Sequence, residues 1–162
     1  MKQVFDEVRN SWVAATPEEI VRQLWVKKMT EELGYPQEFM AIEKELKSLP
    51  HLAAHLATVP DRRIDIICFG KEVHPNYPLF PVLLVECKAE PLSHRALEQA
   101  IGYNAYVQAS YVALVNDREV IFRYNLGCKL CQLDRLPSYH ELVCKQLSPK
   151  GESFLTPNSE ER

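Results

Sequence analysis

The sequence predicts an α/β fold, one mixed β-sheet sandwiched between helices, and three observations carry that expectation. Two apolar, β-branched runs, Arg62–Phe69 (RRIDIICF) and Val82–Ala89 (VLLVECKA), read as central strands. A helix with apolar residues at helical spacing precedes them, and a second helix follows. Two further strand-like runs, Tyr111–Asn116 and Glu119–Asn125, are separated only by Asp117 and Arg118, the spacing of a hairpin. Helices and strands alternating in this way form layers around a single sheet.

The first helix is expected over Pro17–Leu33. Thr16 suits the N-cap, Pro17 the first helical position, and Glu19 completes a capping box. Ile20, Val21, Leu24, Trp25, Met29 and Leu33 form its apolar stripe, and Gly34 followed by Pro36 ends it. Phe39–Leu46 reads as a strand. Ser48–Asp61, where Pro50 and Pro60 bracket HLAAHLATV, reads as a short helix or a long connection. Gly70 bounds the Arg62–Phe69 strand, and Gly70–Pro81, with its three prolines, reads as a loop. Ser93 caps a helix over Ser93–Gln108, Lys129–Leu133 adds a last strand, and Ser138–Leu147 a short helix. The domain is placed at residues 1–147. Ser148–Arg162, polar with two prolines and a glycine, is read as a disordered tail.

A length of 162 residues suits one domain, and 46% hydrophobic with 25% charged residues is ordinary for a soluble protein. No apolar run approaches the roughly 20 residues of a membrane-spanning helix. The N-terminus mixes acids and bases, unlike a signal peptide. A cytoplasmic location without membrane association is the expectation. The five cysteines are an odd number, and Cys68 and Cys87 lie inside apolar strands, which favours reduced thiols over a disulfide framework. The formal net charge of −3 is not that of a dedicated nucleic-acid binder. Any chemistry on nucleic acid must rest on local patches and a bound cation.

The chemistry is written in the two central strands. Alternation along a strand puts Glu86 and Lys88 on one face and Cys87 on the other. Charges in so apolar a strand are costly unless each has a partner, and Asp65 poses the same problem in RIDII. If the strands are neighbours, Asp65, Glu86 and Lys88 converge. Two carboxylates on rigid strands make a hard oxygen site suited to Mg²⁺, with Mn²⁺ as a substitute. The alternative is a structural ion pair in which Lys88 neutralises both acids. Spacing alone leaves the two open.

Other constellations compete. Cys128, Cys131, His140 and Cys144 give a C-x₂-C-x₈-H-x₃-C array of the residue types zinc accepts. Residues three apart on a strand face opposite sides, however, so packing cysteines are the simpler reading. His51, His55 and His74 fall in loop-like regions without acidic partners. No GxSxG or comparable nucleophile context is present. Arg62 and Arg63 stand just before Asp65, where phosphate contacts would be useful. Arg95, Gln99 and Tyr103 share one face of the second long helix.

Arg63-x-Asp65-Ile66, followed some twenty residues later by Val85-Glu86-Cys87-Lys88-Ala89, resembles the PD-(D/E)XK nuclease superfamily. NSWVAATPEEIVRQ, GYPQEFMAIEKEL, RRIDIICF, LLVECKA and QAIGYN occur in the order seen in the N-terminal nuclease domain of type I restriction enzyme R subunits. The resemblance runs from about Arg9 to Asn125. It implies a restriction-endonuclease-like fold and a Mg²⁺-dependent endonuclease acting on DNA, with 5′-phosphate and 3′-hydroxyl products. In its terms Asp65, Glu86 and the backbone carbonyl of Cys87 are metal ligands and Lys88 is the catalytic lysine. Glu19 matches an acid on the first helix, although its capping position offers a structural role, and Gln99 matches a helix glutamine. R subunits join this domain to an ATP-driven motor. No P-loop pattern occurs here, so translocation is not expected of this chain alone, and restriction-modification or helicase subunits would be separate partners. The rival expectation is a weak or inactive nuclease-like module that binds nucleic acid or a partner subunit. The proline-marked segments 48–61 and 70–81 are read as insertions that reshape, cover or decorate the substrate groove.

Overall fold

The structure is a computed structural model describing residues 1–147. A small hairpin, β1 (Gln3–Asp6) and β2 (Ser11–Ala14), leads into helix α1 (Pro17–Glu31). Strands β3 (Met40–Glu45), β4 (Arg63–His74) and β5 (Tyr77–Cys87) follow, then helix α2 (His94–Val107). Strands β6 (Tyr111–Val115), β7 (Val120–Leu126) and β8 (Lys129–Leu133) precede helix α3 (Tyr139–Leu147). The last six strands form one sheet in the order β3-β4-β5-β6-β7-β8. Every neighbouring pair is antiparallel except β5 and β6, which are parallel because α2 crosses over between them. The expected mixed sheet between helices is the fold observed.

Two apolar clusters sandwich the sheet. On one face Val21, Trp25 and Met29 of α1 and Leu142 of α3 pack on Ile66, Val85, Cys87, Val115 and Phe122. On the other, Ala100 and Val107 of α2 pack on Ile67, Leu84 and Val112, together with Leu46, Leu49 and Leu52. Glu86 alternates with Val85 and Cys87, so it faces the α2 side. The Trp25 indole N–H donates to the Asn116 carbonyl at 2.8 Å and ties α1 to the end of β6. Among the described residues no helix is long and apolar enough to cross a membrane.

Four expectations need correction. The stripe of α1 is rotated: Ile20 and Leu24 are 51% and 47% exposed, while Arg22 and Val26 are buried with Val21, Trp25 and Met29. The partners of Arg22 and Trp25 draw that face inward. Glu19 does not close a capping box. Thr16 accepts its amide at 3.1 Å, but the Glu19 carboxylate turns to Arg9, Arg22 and Gln23 instead. Gly70 does not end its strand, and Gly70–Pro81 is the outer arm of one long β4–β5 hairpin. A Cβ on Gly70 would lie 2.6 Å from Val82 Cγ2, so glycine is there for a close approach rather than as a stop. The N-terminal β1–β2 hairpin was absent from the sequence expectation altogether. Segment 48–61 is built on short 3-10 turns, Leu46–Ser48 and Pro50–His55. The tail read at 148–162 lies outside the described residues.

Candidate active site

The register places two acids face to face. β4 and β5 pair at Ile66↔Val85, and one step further along the strands Asp65 meets Glu86. β3 flanks them: Ile42↔Ile66 and Lys44↔Ile64 bracket Glu43 opposite Asp65. A row of three carboxylates, Glu43, Asp65 and Glu86, therefore crosses three strands where like charges repel.

One oxygen of Asp65 accepts the Cys87 backbone amide at 2.8 Å, where the regular ladder stops. The other accepts Arg22 Nη2 at 2.5 Å, and the same nitrogen lies 2.5 Å from Glu43. Arg22 Nη1 bonds Glu19, whose carboxylate also accepts Arg9 Nη2 at 2.7 Å and Gln23 Nε2 at 2.8 Å. Burial works against the charge on the Arg22 guanidinium, but Asp65, Glu43 and Glu19 outweigh it and hold the pKa above its ordinary value.

Three buried side-chain atoms lack a hydrogen-bond partner among the described residues, Arg22 Nε, His51 Nε2 and Glu86 Oε1, and Glu86 is the acid among them. It is 7% exposed. Burial, and then repulsion from Asp65, push its pKa up to about 9, against the opposing pull of Lys88 and Arg22. A native fold seldom leaves a carboxylate oxygen buried and unpartnered without a use for it.

Glu86 and Lys88 open onto a cleft of about 480 Å³ lined also by Glu45, Asp61, Arg62, Arg63, Gln99 and Tyr103. The structure thus brings Gln99 and Tyr103 of α2 to the same cleft as Glu86 and Lys88, and leaves Arg95 exposed outside it. Lys88 follows the end of β5, its amide donating to the Val115 carbonyl at 2.9 Å. Cys87 points into the opposite core, where burial raises its thiol pKa well above the ordinary value. Glu19 reaches Asp65 only through Arg22.

The residues present fit a hard cation. Two repelling carboxylates, one with an unsatisfied buried oxygen, face each other beside an open cleft, and a divalent ion between them would relieve both problems. Among the described residues no group of three or more His, Cys, Asp or Glu side chains is arranged to hold a metal. The set here comprises two side chains and a backbone carbonyl, and so does not form such a group. Nor do Cys128, Cys131, His140 and Cys144 form such a group. Cys131 lies on β8, and Cys144 on α3 meets His140 at 3.5 Å.

Sequence reasoning missed Arg22 and Glu43. Arg22 carried a signal, a charged residue between Val21 and Trp25 on an otherwise apolar face. Glu43 carried a fainter one, an acid between Ile42 and Lys44 in a strand; its positive φ of 53° shows in the structure alone.

Comparison with known proteins follows the same line. Residues 17–137 match the family model described as Type I restriction enzyme R protein N terminus. A solved fragment of a protein assigned as the HsdR subunit of a type I restriction enzyme from Vibrio vulnificus YJ016 superposes with a TM-score of 0.52 at 13% identity. The match covers 91% of this chain and 26% of that one, so this chain spans about a quarter of that structure's length. At that identity the likeness is one of fold. Among curated protein sequences none is significantly similar to this one.

Proposed function

The chain belongs to the family of type I restriction enzyme R protein N-termini, and from that premise we propose that it is a metal-dependent endodeoxyribonuclease of the PD-(D/E)XK type. The observation that carries the reading is the buried carboxyl group of Glu86, its Oε1 without a hydrogen-bond partner among the described residues, set against Asp65 at a cleft that also holds Lys88. Asp65, Glu86 and the Cys87 carbonyl would hold a Mg²⁺ ion, for which Mn²⁺ would substitute. Such an ion supplies, when bound, Lewis acidity toward a phosphoryl oxygen and a lowered pKa for a coordinated water.

The chain's own residues do the rest. Lys88, beside Glu86 in the cleft, orients the attacking water and offsets charge developing on the phosphate. Water adds to phosphorus and the 3′ oxygen leaves with a proton, giving a 5′-phosphate and a 3′-hydroxyl. Gln99 and Tyr103 offer hydrogen bonds to the strand from the α2 wall. Arg62 and Arg63 contact phosphates at the cleft mouth, supplying locally the positive charge that a net −3 denies the whole chain.

The test is cleavage of supercoiled plasmid by the purified chain in Mg²⁺ or Mn²⁺. Nicked or linear product is expected, with Asp65→Asn, Glu86→Gln and Lys88→Ala each folded but inactive. Cleavage that persists in all three variants, or in excess chelator, overturns the assignment.

One observation favours a second reading. Arg22 already occupies an oxygen of Asp65, as it would in a module that has exchanged catalysis for binding of nucleic acid or of a restriction-modification or helicase subunit. Calorimetric titration of Mn²⁺ separates the two. Binding lost in Asp65→Asn supports the nuclease, and binding absent from both proteins supports the module.

A further inference from the structure

The geometry points to Arg22 as a positioning residue that fixes the orientation of Asp65, with Glu19 acting on the site through it. Only the purpose of that oriented carboxylate rests on the nuclease reading.

The argument begins with how Arg22 is held. It is 6% exposed, and its two terminal nitrogens engage three acids from three elements: Glu19 in α1, Glu43 in β3 and Asp65 in β4. A guanidinium bonded in a fork to several carboxylates has one geometry, and an ammonium could not bridge them all. The helix thereby grips the two strands. Glu19 is itself fastened by Arg9, whose Nε bonds the buried Asp6 of the N-terminal hairpin. A continuous chain of ion pairs, Asp6–Arg9–Glu19–Arg22–Asp65, runs from the end of β1 to the neighbour of Glu86.

At its end both oxygens of Asp65 are committed, one to Arg22 and one to the Cys87 amide. Two fixed bonds define the carboxylate plane. Each oxygen retains a second lone pair, and Glu86 is the neighbour opposite. Arg22 is anchored by acids other than Asp65, so a cation arriving between Asp65 and Glu86 need not displace it. Glu19 is then a buttress rather than a ligand: its carboxylate is taken up by Arg9, Arg22 and Gln23 and does not reach Asp65.

The Cys87 amide reports the position of Asp65 without any metal, because that N–H is donated to the side chain and not to a strand. Amide exchange by NMR on metal-free protein is therefore the primary test, and Mn²⁺ calorimetry the second. In Arg22→Gln we expect Cys87 exchange to quicken about tenfold while other β5 amides stay within about twofold, and Mn²⁺ affinity to fall about tenfold. Arg22→Lys keeps the charge and loses the fork. It should fold even if Arg22→Gln does not, with Cys87 exchange quickened about threefold. Glu19→Gln, which leaves Arg22 its bonds to Glu43 and Asp65, should shift the same amide less than Arg22→Gln. Unchanged Cys87 protection in the Arg22 variants overturns the proposal. So does tighter Mn²⁺ binding, which would make the guanidinium a competitor of the ion. A wild-type chain that binds no Mn²⁺ defeats the nuclease reading instead, and the exchange result then decides Arg22 by itself.

Discussion

Asp6, at the end of β1 in the N-terminal hairpin, and Glu86, at the end of β5, are both shut away from solvent, yet their pKa values move in opposite directions. Burial alone would raise both. At Asp6 the Arg9 amide and guanidinium outweigh it: Oδ1 accepts the amides of Val8 and Arg9 at 2.8 and 3.0 Å, and the carboxyl is held below the usual 3.8. At Glu86 no bond reaches Oε1, Asp65 adds repulsion, and the pKa rises to about 9. One acid is satisfied within the chain, and the other is left for something from outside. Burial of a charge therefore marks a site only when its hydrogen bonds are missing.

The comparison is most sharply tested by activity. Asp65→Asn and Glu86→Gln should each lower plasmid cleavage by about a thousandfold or more, the scale on which lost charge stabilisation at a reacting phosphate acts. Asp6→Asn, far along the ion-pair chain, should stay within about threefold of wild type once folded. Equal losses in all three would mean that the two buried acids are not different in kind.

Stability should show the reverse. Asp6→Asn keeps an oxygen for the Val8 and Arg9 amides but sets an amide nitrogen against the Arg9 guanidinium, at a cost of about 1–3 kcal/mol by chemical denaturation. Glu86→Gln removes the cost of protonating a carboxyl on folding and should raise the stability of metal-free protein by on the order of 2 kcal/mol at neutral pH. A pH series checks the signs. Glu86 has a raised folded pKa, so its contribution is fully present below about 4.5 and is lost as pH rises toward about 9. Asp6 has a depressed one, so its contribution holds above 3.8 and is lost as pH falls below that value. In chelator, the loss of stability between pH 5 and about 9 should therefore be present in wild type and absent in Glu86→Gln.

The same contrast explains what the sequence could reveal. Asp65, Glu86 and Lys88 were legible because each is a charge in an apolar strand, and period-two alternation assigns faces without any coordinates. Both long helices were legible from Thr16 and Ser93, whose side chains do accept the amides of Glu19 and Ala96. Arg22 was marked only by its place between Val21 and Trp25, and its role stayed hidden because the acids it binds come from strands distant in sequence. Glu43 likewise depends on the β3–β4 register, a long-range property. The Gly70–Pro81 arm was misread because prolines and a glycine are punctuation in a sequence. Here Phe80 stacks on His74 at 4.4 Å and meets His51 at 4.9 Å, and those contacts sustain the hairpin.

The smallest expected effect discriminates best between an acid that waits for a cation and one that does not. Binding to Glu86 must displace a proton, so apparent affinity should weaken up to tenfold for each pH unit below about 9. At a Mn²⁺ concentration ten times the Kd at pH 8, the stabilisation is about 1.4 kcal/mol, or a rise of roughly 3–5 °C in Tm for a domain of this size. At pH 6 and the same concentration the shift should nearly vanish, since up to a hundredfold weaker binding leaves less than about 0.1 kcal/mol. Asp6→Asn should show the wild-type pair of shifts from a lower starting Tm, and Glu86→Gln no shift at either pH. Identical wild-type shifts at pH 6 and pH 8 would mean that Glu86 is already ionised in the metal-free chain. The absence of a partner at its Oε1 would then have no electrostatic consequence, and the contrast with Asp6 would collapse.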